Sequence, residues 1–343
     1  MEIVGRLCQT PIQEHRPITA IHRMEPRGRE RHRRAAHQSE RAGASESNAL
    51  QIAAIFCFVS LLGAPALRAA QTKIWDEFSG EKAFAHVQQL VDLGPRPSGS
   101  EAIEKSRRYI EDQLRRSGWH VTRQAFTDDT PQGKVQFVNL IAQFPGQGNA
   151  APLFLLCSHY DTKTFDTIKF VGANDGGSST GLLLELARVI GQHPNLAAKV
   201  ELVFFDGEEA YDHFSGTDGL YGSRYFAKHV GDSRQFHGGI LFDMVGDRSL
   251  DVTLPADSPS EMARDIFAAA EALKLRSYFT YLDREMIDDH SPLNAIGVPT
   301  IDVIDFDYPW WHTAGDTIDK ISARSLQIVG SVGLYYLSEF RLK

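Results

Sequence analysis

Residues 152–161, PLFLLCSHYD, and 199–209, KVELVFFDGEE, decide the fold. Each is a short apolar run that ends abruptly in acids or histidine, and SSTGLLLELARVI (178–190) lies between them. That middle segment is apolar on nearly all sides of a helix, which predicts a buried helix. Two more runs repeat the design, GGILFDMVGD (238–247) and PTIDVIDFD (299–307). Fully apolar strands alternating with helices predict an α/β three-layer sandwich, with a mostly parallel, mixed central sheet and helices on both faces.

Outward from these strands the elements follow in order. WHVTRQAF (119–126) and VQFVNLIAQF (135–144) predict strands, the second closed by Pro145 and Gly146. The segment 98–118 predicts a helix with Ser98 and Glu101 as a capping box, a stripe of Ile103, Ile110 and Leu114, and Gly118 as its stop. Further helices are expected over 221–230, 259–274 and 323–340. No linker, repeat or low-complexity block interrupts residues 71–343, so a single catalytic domain is expected there.

The front of the chain differs. Residues 1–48 hold nine Arg, no Lys and six Glu, while the remainder carries 27 basic and 38 acidic residues, net −11. The basic stretch reads as a disordered arm or an overextended start. Residues 49–67, ALQIAAIFCFVSLLGAPAL, are apolar and uncharged, and RAAQ follows. This is the pattern of a signal peptide over 49–70 with cleavage near Gln71, and Gly63 and Pro65 interrupt it as a membrane anchor. An exported protein, periplasmic or extracellular, is expected. Cleavage removes Cys8 and Cys57 and leaves Cys157 alone, so no intrachain disulfide forms. The acidic balance argues against a nucleic-acid partner, and no stable membrane partner is expected.

The chemistry lies where the polar residues fall. Ligands of open α/β sheets bind beyond the carboxyl ends of the strands. There stand His159 and Asp161, Glu208 and Glu209, and Asp243, with Asp175 in the turn FVGANDGGSS and His312 in PWWHTAGD. Singly each is bland: H-x-D is an ordinary surface pair, two adjacent glutamates an ordinary solvated helix start. Their joint appearance at successive strand ends is not bland. Crowded carboxylates repel, a divalent cation removes that penalty, and Asp, Glu and His donors suit zinc.

These motifs, together with LGPRPSGS (93–100), DDHSPL (288–293) and WWHT (310–313), resemble the zinc aminopeptidases with a co-catalytic metal pair. Within that family they resemble the animal-type glutaminyl-peptide cyclotransferases, and the likeness extends from Leu93 to the C-terminal region. In the peptidases, residues matching His159, Asp175, Glu209, Asp243 and His312 hold two metals, with Glu208 as general base. In the cyclases, Asp175, Glu209 and His312 would hold one zinc, Glu208 would shuttle the proton, and Asp243 and Asp288 would complete an acid network. This sequence keeps both sets, so one zinc is implied for a cyclase and two for an aminopeptidase.

The stretch YDHFSGTDGLYGSR (211–224), the double acid Asp288–Asp289 and Trp311 beside His312 favour the cyclase. Phe214 and Ile287 replace the tryptophan and polar residue usual in animal cyclases. The cyclase likeness implies a substrate pocket walled by Trp311 and Phe214, with Asp161 and Asp289 as supporting acids behind the metal ligands. Peptide or protein N-termini are the implied substrates.

Overall fold

The computed structural model describes residues 73–146 and 152–343, and the predicted export segment and the arm before it lie outside them. Eight strands form one sheet in the order β1-β2-β4-β3-β5-β8-β6-β7. They are β1 (His120–Thr130), β2 (Gly133–Gln143), β3 (Leu153–His159), β4 (Val200–Phe205), β5 (Phe236–Asp243), β6 (Val252–Leu254), β7 (Phe279–Tyr281) and β8 (Thr300–Ile304). Neighbours β4, β3, β5 and β8 run parallel; the β1–β2 hairpin and the β2–β4 and β6–β8 pairs are antiparallel. The sheet is mixed with a parallel centre, as the apolar runs predict.

Eight α-helices accompany it among the described residues: α1 (Gly80–Asp92), α2 (Glu101–Arg116), α3 (Gly177–Gly191), α4 (Pro194–Ala197), α5 (Tyr221–His229), α6 (Ser260–Ala272), α7 (His290–Ala295) and α8 (Ala323–Tyr336). Strand alternation sorts the core to two faces. Phe154, Leu156, Leu202, Phe204, Ile240 and Phe242 pack with Val87 of α1, Leu183 of α3 and Val329 of α8. Leu155, Cys157, Val203, Phe205 and Leu241 pack on the other face with Phe226 of α5 and Leu293 of α7. Helix α3 is buried along almost its whole length, as its sequence predicts. Gly181 makes this possible, because a Cβ there would sit 2.8 Å from the Ala83 carbonyl and 2.6 Å from Val87 of α1.

One local expectation is corrected. Ser100, not Ser98, caps α2, accepting a hydrogen bond from the Ile103 amide at 3.1 Å. Ser98 instead donates to Asp206 at 2.7 Å, because a buried carboxylate in the loop after β4 competes for its hydroxyl. Among the described residues no helix is long and apolar enough to cross a membrane.

Candidate metal centre and active site

The four central parallel strands deliver their C-terminal ends to one rim. His159 is the last residue of β3 and Asp243 the last of β5; Glu208 and Glu209 follow β4, and His312 lies in the loop after β8. Asp175 enters from the turn before α3. Gly176 after it is left-handed, φ 70°, and a Cβ would lie 2.7 Å from the Asp161 carbonyl and 2.9 Å from the His159 ring. Only glycine admits this approach, which explains the Asp-Gly pair. His312 adopts φ 54°, unusual for a non-glycine residue, as does Met244 beside Asp243, φ 47°.

Two ligand groupings result, sharing Asp175: Asp175, Glu209 and His312, and His159, Asp175 and Asp243, each with donor atoms within 4.8 Å of one another. His312 Nε2 lies 3.4 Å from Asp175 Oδ2 and 3.2 Å from Glu209 Oε2. That spacing is close to the roughly 3.4 Å edge of a tetrahedron with metal–ligand distances near 2.1 Å. Both oxygens are buried without a directed hydrogen bond, as donors reserved for a cation would be. The residues fit a zinc-like ion on this side. In the other grouping His159 Nε2 lies 3.2 Å from Asp243 Oδ1 and 3.3 Å from Asp175 Oδ1.

Around these ligands the structure places four acids. Asp161 sits behind the cluster, accepting from the amides of Glu208 and Glu209 at 3.2 and 3.4 Å, with His159 Nδ1 3.5 Å from its Oδ1. Burial, with Glu209, Asp288 and Asp289 nearby, pushes Glu208 well above the usual carboxylate range against the pull of His159. Burial raises Asp288 strongly too, reinforced by Asp243 and Asp289. Asp243 is raised by burial, with His159 opposing. The Asp289 amide donates to Asp288 Oδ1 at 2.5 Å, and Asp289 itself, buried, is pushed up to about 7. A site holding protonatable acids beside ionised ones suits proton transfer.

The ligands open onto a cavity of about 270 Å³ whose lining includes Glu208, Asp243, Asp288, Phe214 and Trp311. The Trp311 indole stacks on His312 at 4.1 Å, and Phe165 and Phe170 meet the same imidazole edge-on at 5.8 and 5.9 Å. Every site residue expected from the sequence is thus on this rim, lining this cavity or directly behind it.

Sequence reasoning missed the tethers. Asp316, in the loop of His312, accepts from the amides of Asn174 and Asp175 at 2.8 and 3.2 Å and from the Tyr308 hydroxyl at 2.7 Å, tying two ligand loops together. Arg96 is wholly buried and donates to the carbonyls of Tyr160, Val171 and Gly172. Asp302, in the middle of β8, is buried with both oxygens unbonded, 3.9 Å from His290, whose Nε2 contacts Asp257 at 2.9 Å. An aspartate inside the apolar run TIDVI was the available signal for that last group.

Fold and site together describe an α/β protein with a buried carboxylate–imidazole centre that could hold a metal ion. Residues 139–337 match Peptidase family M28. A glutaminyl-peptide cyclotransferase-like protein of Bos taurus is 30% identical over 277 residues, covering 71% of this chain and 72% of the relative. A glutaminyl cyclase structure from an Acidobacteriales bacterium aligns with a TM-score of 0.70 and 33% identity, covering 80% of this chain and 97% of that one. A Zn-dependent exopeptidase from Parabacteroides distasonis aligns with a TM-score of 0.71 at 26% identity, covering 77% and 99%. The chain belongs to peptidase family M28 and, within it, to the glutaminyl-peptide cyclotransferases.

Proposed function

We propose that this chain is a zinc-dependent glutaminyl-peptide cyclotransferase, converting the N-terminal glutamine of peptides to pyroglutamate with release of ammonia. Kinship with the cyclotransferases supports the reaction. The observation that carries the mechanism is the buried acid set of Glu208, Asp243 and Asp288 facing one small apolar-walled cavity beside the Asp175–Glu209–His312 grouping.

Asp175, Glu209 and His312 would hold one zinc, which supplies Lewis-acid polarisation of the glutamine γ-carbonyl. The nucleophile is the peptide's own α-amine, tethered to its electrophile, so proximity supplies much of the rate. Glu208 takes a proton from that amine as it attacks and returns it to the departing ammonia. Its raised affinity for protons suits both halves of that shuttle. Asp243 and Asp288 orient the amine and share protons with Glu208. Trp311 and Phe214 wall the side-chain pocket and exclude water. The Asp161 carboxylate holds the backbone of Glu208 and Glu209, and the Asp289 amide holds Asp288.

The second grouping, His159 with Asp175 and Asp243, favours one alternative, an aminopeptidase with two metals that removes N-terminal residues. One assay separates them: zinc-loaded protein with Gln-initiated and Leu-initiated peptides, scored for ammonia and for free amino acid. Ammonia from Gln-peptides without release of leucine is the expected result; free leucine and no ammonia overturns the cyclase reading. The apolar segment 49–67 supports export, with residues 71–343 as the mature catalytic domain. Mass spectrometry of the native protein should find its N-terminus near Gln71.

A further inference from the structure

Asp302 sits in the middle of β8, opposite Leu241 of β5, wholly buried and with neither carboxyl oxygen hydrogen-bonded. An ionised carboxylate in that setting is an uncompensated buried charge, so the group carries a proton. Asp288 and Asp289 before α7, Asp243 at the end of β5 and Asp257 after β6 lie close enough to act on it. Burial and those charges hold its pKa well above the usual carboxylate range. His290, the first residue of α7, brings its Nδ1 to 3.9 Å from Asp302 Oδ2. That nitrogen is also buried without a partner, whereas Nε2 meets Asp257 Oδ2 at 2.9 Å. Burial holds the imidazole below its ordinary 6.5 against the pull of Asp257, so the ring is neutral at neutral pH and carries one hydrogen. Asp257 in turn accepts from the Met286 amide at 3.3 Å, and the Ala256 amide donates to the Arg284 carbonyl at 3.0 Å. Segment 284–288 is thereby laced to the loop after β6, and its last residue is Asp288.

Resting on the cyclase reading, we propose that Asp302 is a positioning residue: its carboxyl hydrogen goes to His290 Nδ1, the Nε2 hydrogen is thereby committed to Asp257, and the chain Asp302–His290–Asp257 holds the segment that presents Asp288 to the substrate amine. The acid has a hydrogen and no acceptor; the ring nitrogen has a lone pair and no donor. Their separation is about 1 Å longer than a hydrogen bond, which a modest swing of the Asp302 side chain closes. The opposite assignment, an ionised Asp302 against an imidazolium, would add a negative charge to a crowd of acids.

The test uses zinc-loaded full chain with isotope-labelled histidines. Long-range proton–nitrogen spectra show which ring nitrogen carries hydrogen, and the His290 signal is assigned by its loss in His290→Gln. His290 is expected to be mostly neutral at pH 6.5, with hydrogen on Nε2 and Nδ1 accepting a hydrogen bond. Asp302→Asn keeps a donor towards Nδ1 and should retain that signature, while Asp302→Leu should lose it. In ammonia release from a Gln-peptide, Asp302→Leu is expected to lower kcat by about three- to tenfold, the worth of one hydrogen bond, with zinc content unchanged. Asp302→Asn should stay within about twofold of wild type. An imidazolium, a hydrogen on Nδ1, or a signature unchanged in Asp302→Leu overturns the proposal, as does an Asp302→Asn variant no more active than Asp302→Leu. If Asp302→Leu does not fold, wild type and Asp302→Asn decide by the same two readouts. If no Gln-peptide releases ammonia, the cyclase reading fails by itself, and the nitrogen signature alone supports or overturns the bond.

Discussion

Arg96→Met is the perturbation that best separates the scaffold of the metal centre from its ligands. Arg96 is fully buried, and its guanidinium donates at 2.9 Å to the Tyr160 carbonyl, at 2.6 Å to Val171 and at 2.8 Å to Gly172. Tyr160 follows His159, and Val171–Gly172 lead into the turn that carries Asp175. One side chain therefore pins the backbone beside both residues. Burial lowers its pKa to about 10, with Asp316, Asp175, Asp161 and Glu209 pulling the other way, so it stays charged at neutral pH. Hydrogen bonds from a charged donor contribute about 1.5–3 kcal/mol each, and methionine leaves three buried carbonyls without a donor. The mutant no longer buries a cation, which offsets part of the loss and leaves a net cost of about 3–5 kcal/mol.

Urea unfolding followed by circular dichroism reads that cost directly. Arg96→Lys, which keeps the charge but cannot fork to three carbonyls, is expected to recover only part of it. The Asp175 turn should also loosen, so zinc affinity measured by chelator competition on folded protein should fall in both variants. Arg96→Met within about 1 kcal/mol of wild type would refute the reasoning, since three orphaned carbonyls cannot cost so little.

Glu208→Gln should keep its fold and zinc content while turnover falls by about two to four orders of magnitude, checked by steady-state ammonia release beside metal analysis. His312→Ala should abolish tight zinc binding, whereas His159→Ala should keep the same zinc content as wild type, about one per chain; two zincs in wild type falling to one in His159→Ala would favour a two-metal centre. The His86 imidazole, whose Nδ1 lies 2.6 Å from the Tyr109 hydroxyl, is depressed to about 4 by burial and by Arg188 and Lys82. Unfolding releases it to its ordinary value of 6.5, so this contribution to stability is complete above about pH 6.5 and lost as pH falls through 4. Chemical denaturation across that window should show a shallower acid decline in His86→Phe.

Much of this was legible because the chemistry and the fold use the same residues. A parallel strand buried on both faces is largely apolar to its end, so the cluster of polar residues that follows PLFLLCS or LVFF marks the rim. His159, Glu208, Glu209 and Asp243 were therefore found by where the apolar runs stop. Asp175 was found by the glycines that its close approach to His159 demands.

Harder to see were residues whose importance comes from partners distant in sequence. Arg96 reaches carbonyls 64 to 76 residues away, and Asp316 reaches amides 141 and 142 residues away. Nothing in the composition of either loop announces such a bond, because its acceptor or donor is main chain and carries no side-chain signature. The Ser98 error has the same origin. A Ser three residues before a Glu reads as a local cap, but Asp206, 108 residues on, is buried, and its Oδ1 takes the hydroxyl while Arg107 and the Val138 amide donate to its Oδ2. A local hydrogen bond at the protein surface is worth little against leaving one oxygen of a buried carboxylate without a donor. Wherever the loops of this rim meet, the long-range partner wins, and those bonds hold the acids near enough together for a metal to be the least costly way to neutralise them.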